Sequence, residues 1–190
     1  MMWAFLGSDV MFFGAFIATY LVYRGKSLVG PYPDEILNIP VTSVSTFVLL
    51  MSSLAMVLGL HYVKEGNRGK ATLWILMVVV LGAIFMGFQF VEFREFAHEG
   101  LTPRTNIFGT TFFILTGIHG GHVTIGVIWM AFLAYSSHTG KLRPDNALDL
   151  EIAGLYWHFV DIVWIVIFTV IYLISATDGA PAGVERVIHG

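Results

Sequence analysis

The stretch TGIHGGHVTIG, residues 116–126, places His119 and His122 three residues apart inside a run, 105–140, without a single Asp, Glu, Lys or Arg. On a helix that spacing puts both imidazoles on one face, with Thr116 on the same side. Three chemistries use such a pair: metal or haem ligation, proton or quinone chemistry, and hydrogen bonding between packed helices. Zinc takes three protein ligands and bis-histidine haem needs two opposed helices, so one face of one helix supplies neither alone. The ring that could oppose His122 is His158. Gly117 and Gly121 form a GxxxG spacing, extended by Gly109, Gly120 and Gly126, where another backbone can approach closely. The spacing therefore favours packing and interhelical hydrogen bonding.

The other candidates are ionisable groups in apolar surroundings. Asp9 and Asp161 each lie about ten residues into an apolar segment, and such acids face a bundle interior because the bilayer centre penalises them by roughly 2.5–3.5 kcal/mol. At about 1.5 Å per residue the two reach a similar depth, so Asp9, His158 and Asp161 are expected to share one buried polar layer or proton path. His158 precedes Asp161 by three residues, within reach of a carboxylate that fixes the imidazole tautomer. Glu92, Arg94 and Glu95, followed by His98, gather at the end of another segment. They read as a solvated helix end or as a lipid or subunit contact.

These residues are held by elements that composition already limits. The 190 residues are 56% hydrophobic and 12% charged, and the mean hydropathy is +0.77, which makes lipid the expected solvent. The absence of cysteine excludes disulfides, thiolate metal sites, c-type haem and iron–sulfur clusters. A net charge of −3 without a basic cluster argues against nucleic acid. Five runs are long enough to span a bilayer as helices, 2–23, 41–63, 71–95, 106–136 and 150–175, predicting an all-α membrane bundle in one domain over 1–175. A polar tail follows at 176–190. The opening MMWAFLGSDVMFF has no basic n-region, so it reads as a membrane helix and not as a removed signal. Connections two and four carry Lys64, Arg68, Lys70, Lys141 and Arg143, against Arg24, Lys26, Arg94 and Arg104 in one and three, a balance that favours the N-terminus inside.

Several segments together resemble the cytochrome c oxidase subunit 3 family, subunit III of the haem–copper oxidases. FGTTFFILTGIHGGHVTIG (108–126) and LYWHFVDIVWIVIFTVIYL (155–173) are similar to its two signature helices. FQFVEFREF resembles its segment with paired glutamates, GSDVMFF its SEVxFF segment, and HYVKEGNRGK its polar connection. Asp9 stands where the family has a longer Glu. Gly121 stands where a larger apolar residue is common. Five segments, where longer members have seven, resemble the shorter bacterial type. The lipid-facing wall left by the first two helices would then be covered by lipid, another subunit or a neighbouring chain.

The resemblance implies a bacterial plasma-membrane protein with its N-terminus in the cytoplasm and C-terminus outside. It implies no haem or copper in this chain, because these belong to subunits I and II, which reduce oxygen to water and pump protons. Subunit III packs on subunit I, binds phospholipid, supports proton uptake and protects the active site during turnover. No catalytic residue or metal ligand is expected here. The rival readings are a b-type cytochrome using His119 or His122 with His158, a transporter or proton channel built on the buried acids, and, within the family, a quinol-oxidase subunit or one associated with nitric oxide reductases.

Overall fold

Backbone devices stop the second and fourth apolar runs. The second helix, α2 (Ile39–Lys64), ends at Gly66, whose φ of +76° is costly for any residue with a Cβ. The Asn67 N–H turns back to the Tyr62 carbonyl at 3.0 Å, and the Asn67 side chain caps α3 (Arg68–His98) by accepting from the Lys70 N–H. The fourth helix, α4 (Ile107–His138), stops in the same manner at Gly140, also at φ +76°. A single 3₁₀ turn at Pro144–Asn146 then starts α5 (Ala147–Ile167), which widens into π turns over Phe168–Ile174. The first helix, α1, is Met2–Tyr23.

These boundaries come from a computed structural model that describes residues 2–23, 39–102, 104 and 107–174. The expected tail at 176–190 and the first connection, with Arg24 and Lys26, lie outside the described residues. All five helices are long and apolar enough to cross a membrane, and the chain is a multi-pass membrane protein. α3 extends about a turn beyond the expected 71–95 at its C-terminal end and begins three residues earlier. Hydropathy trims the polar ends that caps retain.

The helices are apolar around most of their circumference, so packing rather than amphipathicity decides their inward faces. α2, α3 and α4 pack in sequence, and α5 lies against both α2 and α4. α1 rests on α4 and α5 through a narrow seam of Leu6, Phe13 and Tyr20 at seven-residue spacing, with Asp9 between the first two. α2 turns small and hydroxyl-bearing residues inward: Thr42, Ser45, Thr46, Ser52, Ala55 and Gly59. Two indoles of α5 dock on that rail, Trp157 Nε1 donating to Ser52 Oγ at 2.9 Å and Trp164 Nε1 to Thr46 Oγ1 at 3.0 Å. At one end, Arg68 Nε donates to the Ser137 carbonyl and Lys64 pairs with Glu151 at 2.6 Å. The pair is largely exposed, so it contributes little to stability.

Candidate functional site

α5 separates two polar groups. Tyr156 and His158, two residues apart, point about 200° away from each other at 3.6 residues per turn. On the Tyr156 flank, Asp9 Oδ2 of α1 lies 3.5 Å from His122 Nε2 of α4, an ion-pair distance too long for a good hydrogen bond. His122 Nδ1 donates to the Ile118 carbonyl at 2.9 Å, so its other nitrogen faces the carboxylate. That contact is attractive when a proton lies between the two atoms. Phe13 packs edge-on against the imidazole at 5.1 Å between centroids, and the Tyr156 hydroxyl donates to the His122 carbonyl at 2.9 Å.

On the other flank Ser53 of α2 joins His158 and Asp161. The Ser53 hydroxyl donates to Asp161 Oδ2, and His158 Nδ1 lies 2.8 Å from Ser53 Oγ. Asp161 is 3% exposed, while His158 is half-buried along a groove between α2 and α5. His158 and Asp161 are thus brought together through Ser53. Asp9 is brought to His122 instead, and the two acids have different partners.

His119 is fully buried but makes no hydrogen bond through either ring nitrogen among the described residues. It is a packed plate, stacked on Trp164 at 4.8 Å and edge-on to Phe85 at 6.1 Å. Gly117 and Gly121 face outward, and a Cβ added at either meets nothing within 4 Å. The close approaches lie at two other glycines of α4, which meet different helices. A Cβ on Gly120 would reach Gln89 at 3.0 Å, and one on Gly126 would reach the Trp157 ring at 2.8 Å. The neighbour expected from the GxxxG spacing is therefore not found among the described residues.

Gln89, a residue the sequence reading passed over, bridges α3 to α4 by donating from Nε2 to the Thr116 carbonyl at 2.8 Å. The Thr116 hydroxyl itself turns back to the Phe112 carbonyl. A lone amide in the apolar run of FQFVEF was the available signal. Gln89→Leu keeps the volume and removes the bridge; we expect a loss of about 1 kcal/mol, read as a lower thermal midpoint of the purified protein in lipid.

Near the far end of the bundle Glu92 is 7% exposed and accepts from the Thr42 hydroxyl at 2.6 Å, with the Tyr172 ring beside it. Arg94 and Glu95 are exposed. Glu92 and Glu95 line one open apolar groove of about 450 Å³ with Val41, Ile84, Gly87, Phe88 and Val91. The b-type haem reading needs two converging imidazoles. His119, His122 and His158 instead engage an indole, a carboxylate and a hydroxyl in three separate settings.

Residues 1–176 match the family described as Cytochrome c oxidase subunit III. The chain is 40% identical over 173 residues to the cytochrome c oxidase subunit 3 of Bacillus sp. (strain PS3), covering 91% of this chain and 84% of that protein. It is 36% identical over 173 residues to the quinol oxidase subunit 3 of Bacillus subtilis (strain 168), covering 91% and 85%. It is also 36% identical over 174 residues to the cytochrome c oxidase subunit 3 of the same Bacillus subtilis strain, covering 91% and 84%.

Proposed function

The chain belongs to the cytochrome c oxidase subunit III family, and from that premise we propose that this haem–copper oxidase subunit works without a redox centre of its own. Its contribution is to stabilise the complex, retain phospholipid and shape the surroundings of a proton entry route. The carrying observation is the way its buried ionisable groups are engaged: Asp9 with His122, Asp161 with Ser53, and Glu92 with Thr42. Such pairs join helices and hold protons, while the three histidines are kept apart. Asp9, His158 and Asp161 are the groups we assign to proton handling, on two flanks of α5. Glu92, Arg94 and Glu95 are assigned to lipid or a partner subunit, because Glu92 and Glu95 line an otherwise apolar groove beside Arg94.

The main partner is subunit I, with subunit II beside it, in a bacterial plasma membrane with the N-terminus inside and the C-terminus outside. Relatives named for cytochrome c and for quinol are similarly distant, at 40% and 36% identity, and we assign the choice of electron donor to subunit II. Haem and copper are assigned to the partner subunits.

The test is isolation of the oxidase through an affinity tag on this chain, followed by haem and copper analysis of the assembly and of the chain expressed alone. The expected result is haem and copper in the assembly, carried by co-purifying subunits, and none in stoichiometric amount on the single chain. One haem per isolated chain would overturn the reading in favour of the cytochrome.

A further inference from the structure

Ser53 lies between an imidazole and a carboxylate, and its single hydroxyl proton fixes the polarity of the trio. That proton goes to Asp161 Oδ2, so the 2.8 Å contact with His158 is an Nδ1–H donating to Ser53 Oγ. A neutral His158 then carries its free lone pair on Nε2. A nucleophilic triad places the imidazole between the hydroxyl and the carboxylate, so this order is not one that activates serine. It is the order of a hydrogen-bonded proton wire.

We propose that His158, Ser53 and Asp161 form a proton relay that loads the buried Asp161 carboxylate from the groove between α2 and α5. The inference rests on the reading that this subunit handles protons, and it names a second location for that work, on the flank of α5 turned away from Asp9 and His122. The groove has a volume of about 230 Å³ and is lined by Met56, Val57, Leu60, Gly154 and Leu155, together with His158 and Glu151. Glu151 pairs there with Lys64, and it lies two turns before His158 on α5, about 10 Å along the axis. These two charges mark the polar end of the groove.

The step balances without electron transfer. Hydronium from the aqueous face gives a proton to Nε2 and becomes water. The Nδ1 proton moves to Ser53 Oγ as the Ser53 proton moves to Asp161 Oδ2. One proton has entered, the carboxylate has become a carboxyl, and the same three groups remain bonded with every donor and acceptor exchanged. Asp161 Oδ1, buried and without a hydrogen-bond partner among the described residues, is the free end of the wire.

The relay is tested on the intact oxidase assembly in lipid nanodiscs by infrared spectroscopy during exchange from H2O into D2O. The carboxyl band of Asp161 is identified by its loss in Asp161→Asn. In the parent protein that band shifts promptly; in Ser53→Ala and His158→Gln its exchange slows by about 10²-fold, the scale of a positioned proton-transfer group. Ser53→Thr, which retains the hydroxyl, restores the rate. A purely structural anchor would change stability and leave exchange unaltered. Parent-like exchange in assembled Ser53→Ala would overturn the relay, as would the lack of any carboxyl band sensitive to Asp161→Asn across the pH range the assembly tolerates. Haem, copper and subunit content measured on the same samples report separately on the proposed function.

Discussion

Gly126→Ala lowers the thermal midpoint of the purified chain, whereas Gly121→Ala, five residues earlier on the same helix, leaves it unchanged or raises it. The difference follows from what each new methyl group meets. At Gly126 an added Cβ would lie 2.8 Å from the Trp157 ring, and at Gly82, on α3, 2.8 Å from the same ring. The indole is confined between two glycines, with Nε1 bonded to Ser52. It can move aside only by giving up that bond or by pressing into α3. Overpacking of this type costs about 1–3 kcal/mol, and the rigid confinement of the ring argues for the upper part of that range. At Gly121 no atom stands within 4 Å, and alanine improves intrinsic helix propensity by up to about 1 kcal/mol. The measurement is thermal unfolding in lipid, followed by tryptophan fluorescence. Equal midpoints for the two variants would remove Trp157 as the wedge that α5 drives between α3 and α4. Repeating both substitutions in the whole oxidase separates internal from external packing: Gly121→Ala weakens assembly only where a partner covers that face.

The same contrast shows how far the residues alone could lead. The five spans were readable because a bilayer requires about 20 apolar residues per helix, a constraint on length and composition that needs no knowledge of neighbours. The inward faces were not readable, because lipid is as apolar as a protein interior and leaves no polar stripe to mark the outside. The glycines of α4 announced a small surface, but Gly120 and Gly126 form it inside the chain, about 100° and 140° round the helix from Gly121. That Asp9 and Asp161 turn away from lipid was legible from their charge in apolar runs, at 13% and 3% exposure, while their azimuths were not. Which side of α5 each acid joined depended on where α1 and α2 docked. Ser53 could have been found from the hydroxyl run on α2: Thr42, Ser45, Thr46, Ser52 and Ser53 recur at helical spacing in an otherwise apolar span. Two indoles and a carboxylate of α5 use that run.

Asp9→Ala is expected to weaken the bundle and to alter proton uptake or the lifetime of the oxidase during turnover, while leaving its haem spectra intact. Among the described residues α1 touches the rest of the chain through a narrow seam, and Asp9 supplies a polar contact on it. Asp9 and His122 are 13% and 20% exposed, so removing the carboxylate leaves His122 Nε2 short of a partner in a mostly apolar setting. Leaving a buried polar group unsatisfied costs about 1–3 kcal/mol. His122→Phe preserves the ring that packs on Phe13 and removes the nitrogens, so the pair can be separated from the packing. In a double-mutant cycle on thermal stability, Asp9→Ala and His122→Phe together should cost less than the sum of the two, with a coupling of about 1 kcal/mol. Strict additivity would mean that the 3.5 Å contact carries no energy. Asp9→Glu adds the methylene found in the resembling family segment and extends the carboxylate towards Nε2. It should raise the midpoint where Asp9→Ala lowers it, because the Phe13 ring and the Ile118 carbonyl hold the imidazole in place. Loss of the haem spectrum in an assembled Asp9→Ala complex would be the contrary result, because it would tie Asp9 to the redox centres themselves rather than to the α1 seam.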